Sequence, residues 1–155
     1  MVAMMDEALD LRPGMKVLEV GAGSGYHAAT IAEIVGEKGQ VFAIEQLEKL
    51  VAIARANLNR AQYSNRVTLV HGDGSMGHPD RAPYDRILVT AAAPKVPPPL
   101  LAQLKPEGIL VIPVGGRMFP QELIRVKMKT DGALQRESLG GVAFVPLVGK
   151  YGFDS

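Results

Sequence analysis

The sequence predicts an α/β fold of three layers, with helices on both faces of a mostly parallel sheet and antiparallel strands at its C-terminal end. Two observations support this prediction. Up to residue 115, short apolar runs alternate with segments of helical periodicity, as in repeated β–α units. After residue 120, apolar and polar residues alternate one by one, which is typical of antiparallel strands. The length of 155 residues fits a single domain.

A helix precedes the first β–α unit. Residues 1–11 carry Met, Ala and Leu side chains at helical spacing, and Pro13 and Gly14 end the pattern. Residues 16–20 form an apolar run between two helical patterns, as expected of a buried parallel strand. A second helix follows over residues 25–35 and ends at a glycine-rich turn.

The next units repeat this order. Residues 40–44 form an apolar strand that ends at Glu45, and residues 47–61 form a long helix rich in Ala, Leu and Arg. Residues 66–70 form the third strand, and a polar loop leads from it to the fourth strand over residues 84–89. In a parallel sheet of this kind, a ligand binds beyond the carboxyl ends of the strands.

The last third of the chain changes in character. Prolines begin a short helix over residues 97–104, since the first turn of a helix has N–H groups without helical partners in any case. Residues 108–114 form the fifth strand. Alternating patterns then predict antiparallel strands over residues 122–129, 134–139 and 142–145.

A glycine loop joins the first strand to the helix that follows it. Gly21, Gly23 and Gly25 occupy alternate positions, and glycine has no Cβ to hold a ligand away from the backbone. The loop departs from the dinucleotide pattern G-x-G-x-x-G, because Tyr26 stands where the third glycine would be. The P-loop pattern G-K-[ST] does not occur in the chain.

Carboxylates mark the ends of the first three strands. Glu19 lies in the first strand, Glu45 ends the second, and Asp73 follows the third. We expect the three to point into one crevice, because the carboxyl ends of parallel strands meet at one edge of the sheet. These strand ends carry no Lys or Arg, so an anionic pyrophosphate would be unfavourable there. S-adenosylmethionine, which has ribose hydroxyls and positive charge, fits better.

The motifs together resemble a known family. The glycine loop, Glu45 and the stretch 72–74 are similar to those of class I S-adenosylmethionine-dependent methyltransferases, which have a Rossmann-like fold. Further segments narrow the resemblance to the protein-L-isoaspartate O-methyltransferases, and together they cover most of the chain. These segments are residues 82–87, 90–94, 104–108, 112–115 and 144–147.

The resemblance implies one S-adenosyl-L-methionine-binding methyltransferase domain over residues 1–155. The implied reaction is methyl transfer to the carboxylate of L-isoaspartyl residues in damaged proteins, which is a repair reaction. The implied cofactor contacts come from Glu19 (ammonium group), Gly21, Gly23 and Gly25 (methionine part), Glu45 (ribose hydroxyls), and Asp73 and Gly74 (adenine). The implied substrate pocket is lined by Thr90, Ala91, Pro113, Val114, Val145 and Pro146.

The resemblance also implies a segment ahead of residue 1. The family carries an N-terminal segment that ends in Ser-Ala-Pro-His, and its serine is held to be the active-site residue, so we expect no catalytic residue within residues 1–155. The helical pattern starts at Met1 without a Ser, Thr, Asp or Asn cap, which agrees with a shortened chain. We expect the apolar face left uncovered to favour dimerisation. The alternative function is a core that binds the cofactor or its demethylated product without catalysis.

Composition argues against several other classes of protein. The net charge is +1 and no basic run occurs, so we expect no nucleic-acid partner. A methyltransferase that acts on RNA, DNA or a small molecule is disfavoured, because residues 90–93 lack the Asn/Asp-Pro-Pro-aromatic stretch of base-methylating enzymes. No apolar run approaches the roughly 18 residues of a membrane span. The absence of Cys fits a cytoplasmic location, and the scattered His residues predict no metal site.

Overall fold

The computed structural model describes residues 1–155 and places a seven-stranded sheet between two layers of helices. The helices are α1 (Val2–Leu9), α2 (Tyr26–Val35), α3 (Glu48–Arg60) and α4 (Pro98–Ala102). The strands are β1 (Lys16–Val20), β2 (Gln40–Glu45), β3 (Val67–His71), β4 (Tyr84–Val89), β5 (Leu104–Gly115), β6 (Gln121–Met128) and β7 (Leu134–Gly141). Two 3₁₀ turns, Gly74–Met76 and Pro79–Arg81, connect β3 to β4.

The strand order in the sheet is β3-β2-β1-β4-β5-β6-β7. The first five strands pair in parallel, and β6 and β7 add antiparallel pairings at one edge. This arrangement confirms the predicted α/β class with antiparallel C-terminal strands. The chain leaves β1 toward β2 on one side and returns to β4 on the other, so the strand order reverses beside β1. Ligands of open α/β sheets bind at such a reversal.

Both faces of the central sheet are buried, as expected for parallel strands. Leu18 and Val20 of β1 pack into the core on the face that α4 covers. Val17 points to the opposite face, where it packs with side chains of α1 and α2. Alternate residues of one strand thus serve two cores, because side chains alternate across a sheet with a period of two.

Two predicted elements differ from those observed. The strand predicted over residues 142–145 is wrong, because this segment runs as an extended loop. The buried side chain of Gln121 holds the loop: its amide nitrogen donates to Phe144 O (3.1 Å) and its amide oxygen accepts from Phe144 N (2.7 Å). The predicted helix over residues 97–104 is shorter, because Tyr84 N donates to Gln103 O (2.8 Å) and so draws the next residues into β5.

Two arginines, the buried Arg86 and the half-buried Arg125, anchor the C-terminal end of α1 to the sheet. Arg86 donates from Nε to Leu9 O, and Arg125 Nε donates to Ala8 O (2.7 Å). These guanidinium groups satisfy carbonyls that the end of a helix leaves without partners. Along the same helix, Asp6 contacts His27 Nε2 of α2 at 2.6 Å. Helix α1 is therefore fixed against the start of α2, next to the glycine loop.

None of the helices combines the length and the apolar character needed to cross a membrane.

Candidate functional site

A cavity of about 590 Å³ lies at the carboxyl ends of β1, β2 and β4, where the strand order reverses. Its lining is mostly apolar and carries one acidic side chain and no Lys or Arg. Residues at the three strand ends form one side, and residues 145–148 together with Ser155 form the other. The lining residues are Val20, Gly21, Gly23, Ile44, Glu45, Gln46, Leu47, Leu50, Gly74, Thr90, Ala91, Val145, Pro146, Leu147, Val148 and Ser155.

The three glycines of the loop serve different purposes. All have positive φ angles, +96° at Gly21, +53° at Gly23 and +87° at Gly25, which favour glycine. A Cβ on Gly23 would meet no atom within 4 Å, so the space beside it is open. A Cβ on Gly25 would lie 3.2 Å from Leu58 Cγ. Gly23 therefore leaves room at the cavity, whereas Gly25 lets α2 approach α3.

Glu45 is the acidic side chain of the cavity. The residue is buried, and its carboxylate accepts two backbone hydrogen bonds, from Gly23 N to Oε2 (3.0 Å) and from Leu47 N to Oε1 (3.1 Å). A carboxylate has about four lone-pair sites, so each oxygen can accept at least one further hydrogen bond from a ligand. This arrangement suits a ligand that carries a pair of hydroxyl groups.

Glu19 has a different environment from that of Glu45. Its carboxyl group is fully buried, and neither oxygen has a hydrogen-bond partner. Burial, followed by the charges of Asp6 and Glu45, raises the pKa of Glu19 well above its ordinary value. Along β1, Glu19 alternates with Val20, so its side chain lies on the face of α1 and α2 rather than in the cavity lining.

Asp73 begins the turn after β3, and its carboxylate is largely engaged within the chain. Oδ1 accepts from Ser75 N (2.9 Å) and from Ser75 Oγ (2.7 Å), and Oδ2 accepts from Lys150 N (2.9 Å). The neighbouring Gly74 lines the cavity, but Asp73 does not. Of the three strand-end carboxylates, the structure brings only Glu45 into the lining.

Residues 145–155, here called the strap, close the cavity opposite the glycine loop. The strap is tied to the end of β4, because Ala92 N donates to Val145 O (2.8 Å) and Leu147 N donates to Ala92 O (2.7 Å). It is tied to the turn after β3 as well, because Tyr151 N donates to Ser75 Oγ (3.0 Å). These hydrogen bonds place two predicted substrate-pocket residues, Val145 and Pro146, in the same cavity as the predicted cofactor residues.

The structure therefore gathers most of the predicted site residues, though not all. Those in the lining are Gly21, Gly23, Glu45, Gly74, Thr90, Ala91, Val145 and Pro146. Those outside it are Glu19, Gly25, Asp73, Pro113 and Val114. Pro113 and Val114 lie one layer behind the lining, where Ala93 N donates to Pro113 O (3.0 Å) and Ala93 forms a bridge with Val114.

Several apolar residues of the lining were not predicted from the sequence. They are Val20, Ile44, Leu47, Leu50, Leu147 and Val148, with Gln46 and Ser155 as polar additions. Leu47 carried a signal that could have been used. It occupies the N-cap of α3, where Ser, Thr, Asp or Asn is usual, yet it is apolar, makes no cap hydrogen bond and is 59% exposed. Only the unusual residue type at this N-cap is visible in the sequence, whereas its exposure is known from the structure.

Comparison with known proteins agrees with this fold and identifies a family. The family model described as protein-L-isoaspartate(D-aspartate) O-methyltransferase matches residues 1–152. A protein-L-isoaspartate O-methyltransferase from Hyperthermus butylicus is 54% identical over 160 residues, which cover 99% of this chain and 66% of that protein. The chain thus spans about two thirds of the length of this relative.

Solved structures give the same result. A structure described as protein-L-isoaspartate O-methyltransferase superposes with a TM-score of 0.88 at 35% identity, covering 97% of this chain and 47% of the other. A Plasmodium falciparum structure of the same description, in complex with S-adenosyl-L-homocysteine, has a TM-score of 0.84 at 25% identity, covering 95% and 72%. The chain belongs to the protein-L-isoaspartate(D-aspartate) O-methyltransferase family.

Proposed function

We propose that the cavity binds S-adenosyl-L-methionine and that the protein transfers its methyl group to the carboxylate of L-isoaspartyl residues in peptides and proteins. The observation that carries the proposal is the arrangement of Glu45 beside Gly23. The Glu45 carboxylate, at the end of β2, can only accept hydrogen bonds, and its Oε2 lies 3.0 Å from Gly23 N of the glycine loop. The space beside Gly23 is open. Membership of the family supports the choice of reaction.

The lining fits this cofactor chemically. Glu45 would accept the ribose hydroxyls, and the glycines of the loop would lie beneath the methionine part, where no Cβ intrudes. The apolar side chains of Ile44, Leu47 and Leu50 would contact the adenine ring. A cavity without Lys or Arg suits a cofactor that carries a sulfonium and an ammonium group.

Gly74 in the lining and three residues outside it have narrower proposed roles. Gly74 presents its backbone to the adenine end, and Asp73 Oδ2 accepts one hydrogen bond, so a lone pair remains for the adenine amino group. Glu19 lies on the face of α1 and α2 with both carboxyl oxygens unpartnered, so its proposed role is to act on the ammonium group of the cofactor from behind the lining rather than by direct contact. Gly25 supports the loop by letting α2 pack against α3.

The reaction requires little acid–base chemistry from the protein. When bound, the cofactor supplies an electrophilic methyl group. The substrate carboxylate, with an ordinary pKa of about 4, is already ionised at neutral pH and needs no general base. The proposed tasks of this chain are to orient the two reactants and to exclude water. Thr90 and Ala91 at the end of β4 and Val145 and Pro146 of the strap would form the walls around the reacting groups, with Pro113 and Val114 behind them.

Two measurements on one sample test the proposal. Calorimetric titration with S-adenosyl-L-methionine and S-adenosyl-L-homocysteine should give saturable binding of both. Transfer of a labelled methyl group should then occur to a peptide that contains L-isoaspartate and not to the same peptide with L-aspartate. Binding without transfer would leave the chain as a cofactor-binding core, and a folded chain that binds neither compound would overturn the proposal.

A further inference from the structure

Thr90 lies between the glycine loop and the cavity, and its side chain contacts the loop directly. The backbone N–H of Thr90 donates to Val20 O (3.0 Å), as in a normal parallel ladder. Its hydroxyl oxygen lies 2.8 Å from Gly21 O and 3.2 Å from Val20 O. The side chain therefore continues the pairing of β4 with β1 beyond the last backbone hydrogen bond and onto the first glycine.

The contact between Thr90 and Gly21 is close. A Cβ on Gly21 would lie 2.7 Å from Thr90 Oγ1, so a larger residue at this position would have to displace the hydroxyl. On the opposite side, Gly21 N and Ala22 N both donate to Ile44 O, at 2.9 and 3.2 Å. The first residues of the loop are thus held between β2, through its backbone, and β4, through one hydroxyl group.

The direction of this hydrogen bond limits what Thr90 can offer to a ligand. A hydroxyl group has one proton to donate and two lone pairs to accept with. Because Gly21 O is an acceptor and the shorter contact, the proton of Thr90 is committed to the loop. Toward the cavity Thr90 can then only accept a hydrogen bond. A substrate carboxylate, which also only accepts, gains nothing from such a group, whereas a cationic or hydrogen-bond-donating ligand does.

We propose that Thr90 is a positioning residue. Its hydroxyl group holds the glycine loop through the hydrogen bond to Gly21 O, and it thereby acts on cofactor binding rather than on the substrate carboxylate. The hydrogen bond from Thr90 to Gly21 O is a property of the chain itself, whereas its effect on the cofactor rests on the function proposed above. This assignment refines the substrate-pocket role that the family resemblance implies for Thr90.

A pair of variants isolates the hydroxyl. Thr90→Ala and Thr90→Ser both remove the methyl group and differ only in the oxygen. Thr30→Ala is the matched control, because Thr30 Oγ1 also donates to a backbone carbonyl, Tyr26 O at 3.1 Å, in α2 outside the cavity lining. Thermal unfolding of all three establishes that each is folded.

Amide hydrogen exchange, measured without cofactor, tests whether the Thr90 hydroxyl holds the glycine loop. A neutral hydrogen bond of ordinary strength corresponds to a factor of about three to ten in local opening. The protected amides of residues 21–25 should exchange faster by about that factor in Thr90→Ala, and at nearly the wild-type rate in Thr90→Ser and Thr30→Ala. Exchange at the wild-type rate in Thr90→Ala would show that the Thr90 hydroxyl does not hold the loop, and this result would overturn the proposal whether or not the chain binds a cofactor.

Binding and steady-state kinetics test the direction of the effect. The Kd for S-adenosyl-L-methionine should rise about threefold to tenfold in Thr90→Ala and be largely restored in Thr90→Ser. At saturating cofactor, the KM for an isoaspartyl peptide should stay at the wild-type value. A raised peptide KM with an unchanged cofactor Kd would place Thr90 on the substrate side and overturn the inference. Failure of the wild-type chain to bind the cofactor would instead count against the proposed function.

Discussion

Glu45 and Gly23 are joined by a hydrogen bond of 3.0 Å from the backbone N–H of the glycine to the carboxylate. The second carboxylate oxygen accepts from Leu47 N at 3.1 Å. One side chain therefore fixes the glycine loop, the end of β2 and the start of α3 relative to one another. The same carboxylate faces the cavity, so the shape of the loop and the recognition of ligand hydroxyls depend on one residue.

Replacing Glu45 by Gln should weaken binding of S-adenosyl-L-methionine by about tenfold or more. The amide keeps only one acceptor oxygen, and hydrogen bonds to a charged group contribute about 1.5–3 kcal/mol. Titration calorimetry measures the change. Glu48→Gln alters an exposed carboxylate in the first turn of α3 and should bind the cofactor like wild type. Equal affinities for Glu45→Gln and wild type would show that this carboxylate does not contact the ligand.

Replacing Gly23 by Val should abolish measurable cofactor binding while the fold persists. The valine side chain would enter the open space beside the loop, and the positive φ of +53° should cost about 1–3 kcal/mol of stability. Gly132→Val is the control, because Gly132 has φ +86° and open space in the β6–β7 turn, away from the cavity. Both variants should lose similar stability in urea unfolding, but only Gly23→Val should lose affinity. Retained affinity in Gly23→Val would mean that the loop has a purely structural role.

Glu19 should contribute to the stability of the protein a part that falls as the pH rises above about 4.5. Its pKa in the folded chain is raised above the ordinary value of 4.5, so the folded state binds a proton that the unfolded state releases. The contribution of the neutral carboxyl group is complete below pH 4.5 and is lost progressively as the pH rises toward the folded-state pKa. Glu19→Gln mimics the protonated form and should remove this part of the pH dependence.

Urea unfolding at pH 5 and pH 8 measures this effect as a difference between wild type and Glu19→Gln. The variant should gain stability relative to wild type at pH 8 and gain less at pH 5. Glu122→Gln, at an exposed position of β6, should follow the wild-type dependence. Parallel curves for Glu19→Gln and wild type would show that Glu19 titrates alike in the folded and unfolded chains.

Much of the fold was predictable because local signals agree with the tertiary structure. In the central sheet, apolar runs end at Gly or at a polar residue, and the observed strands end within a residue or two of the predicted positions. The strand predicted over residues 142–145 fails for a non-local reason, since Gln121, distant in sequence, binds both backbone groups of Phe144. No window of sequence around Phe144 contains that information.

The part of the site formed by the strand ends was predictable from the sequence, and the part formed by the strap was less so. Strand ends locate Gly21, Gly23 and Glu45, because they follow from topology. The expectation that Glu19 points into the same crevice is wrong, because the alternation of side chains along β1 places it on the face opposite Val20. Of the strap, only Val145 and Pro146 were expected in the site, from the family resemblance. The rest of the strap could not be predicted, because its contact with Ser75 depends on how residues 145–155 return across the sheet.

The strap makes a last prediction, which concerns Ser75. Its buried hydroxyl donates to Asp73 Oδ1 and accepts from Tyr151 N, so it links the turn after β3 to the strap. A Cβ on Gly149 would lie 2.1 Å from Asp73 Oδ1, which shows how closely the strap is packed on this turn. Val148 and Ser155 of the strap line the cavity. Loss of the hydrogen bond between Ser75 and Tyr151 should therefore change the position of the strap residues that line the cavity.

Ser75→Ala should accelerate amide exchange at Tyr151 and its neighbours by about threefold to tenfold and weaken cofactor binding by a smaller factor. Ser138→Ala is the control, because Ser138 Oγ also accepts a backbone hydrogen bond, from Gly140 N at 3.3 Å, but lies in β7 away from the cavity. Exchange and affinity should both be unchanged in Ser138→Ala. If Ser75→Ala accelerated exchange in the strap without any loss of affinity, the strap would be a cover that does not contact the bound ligand.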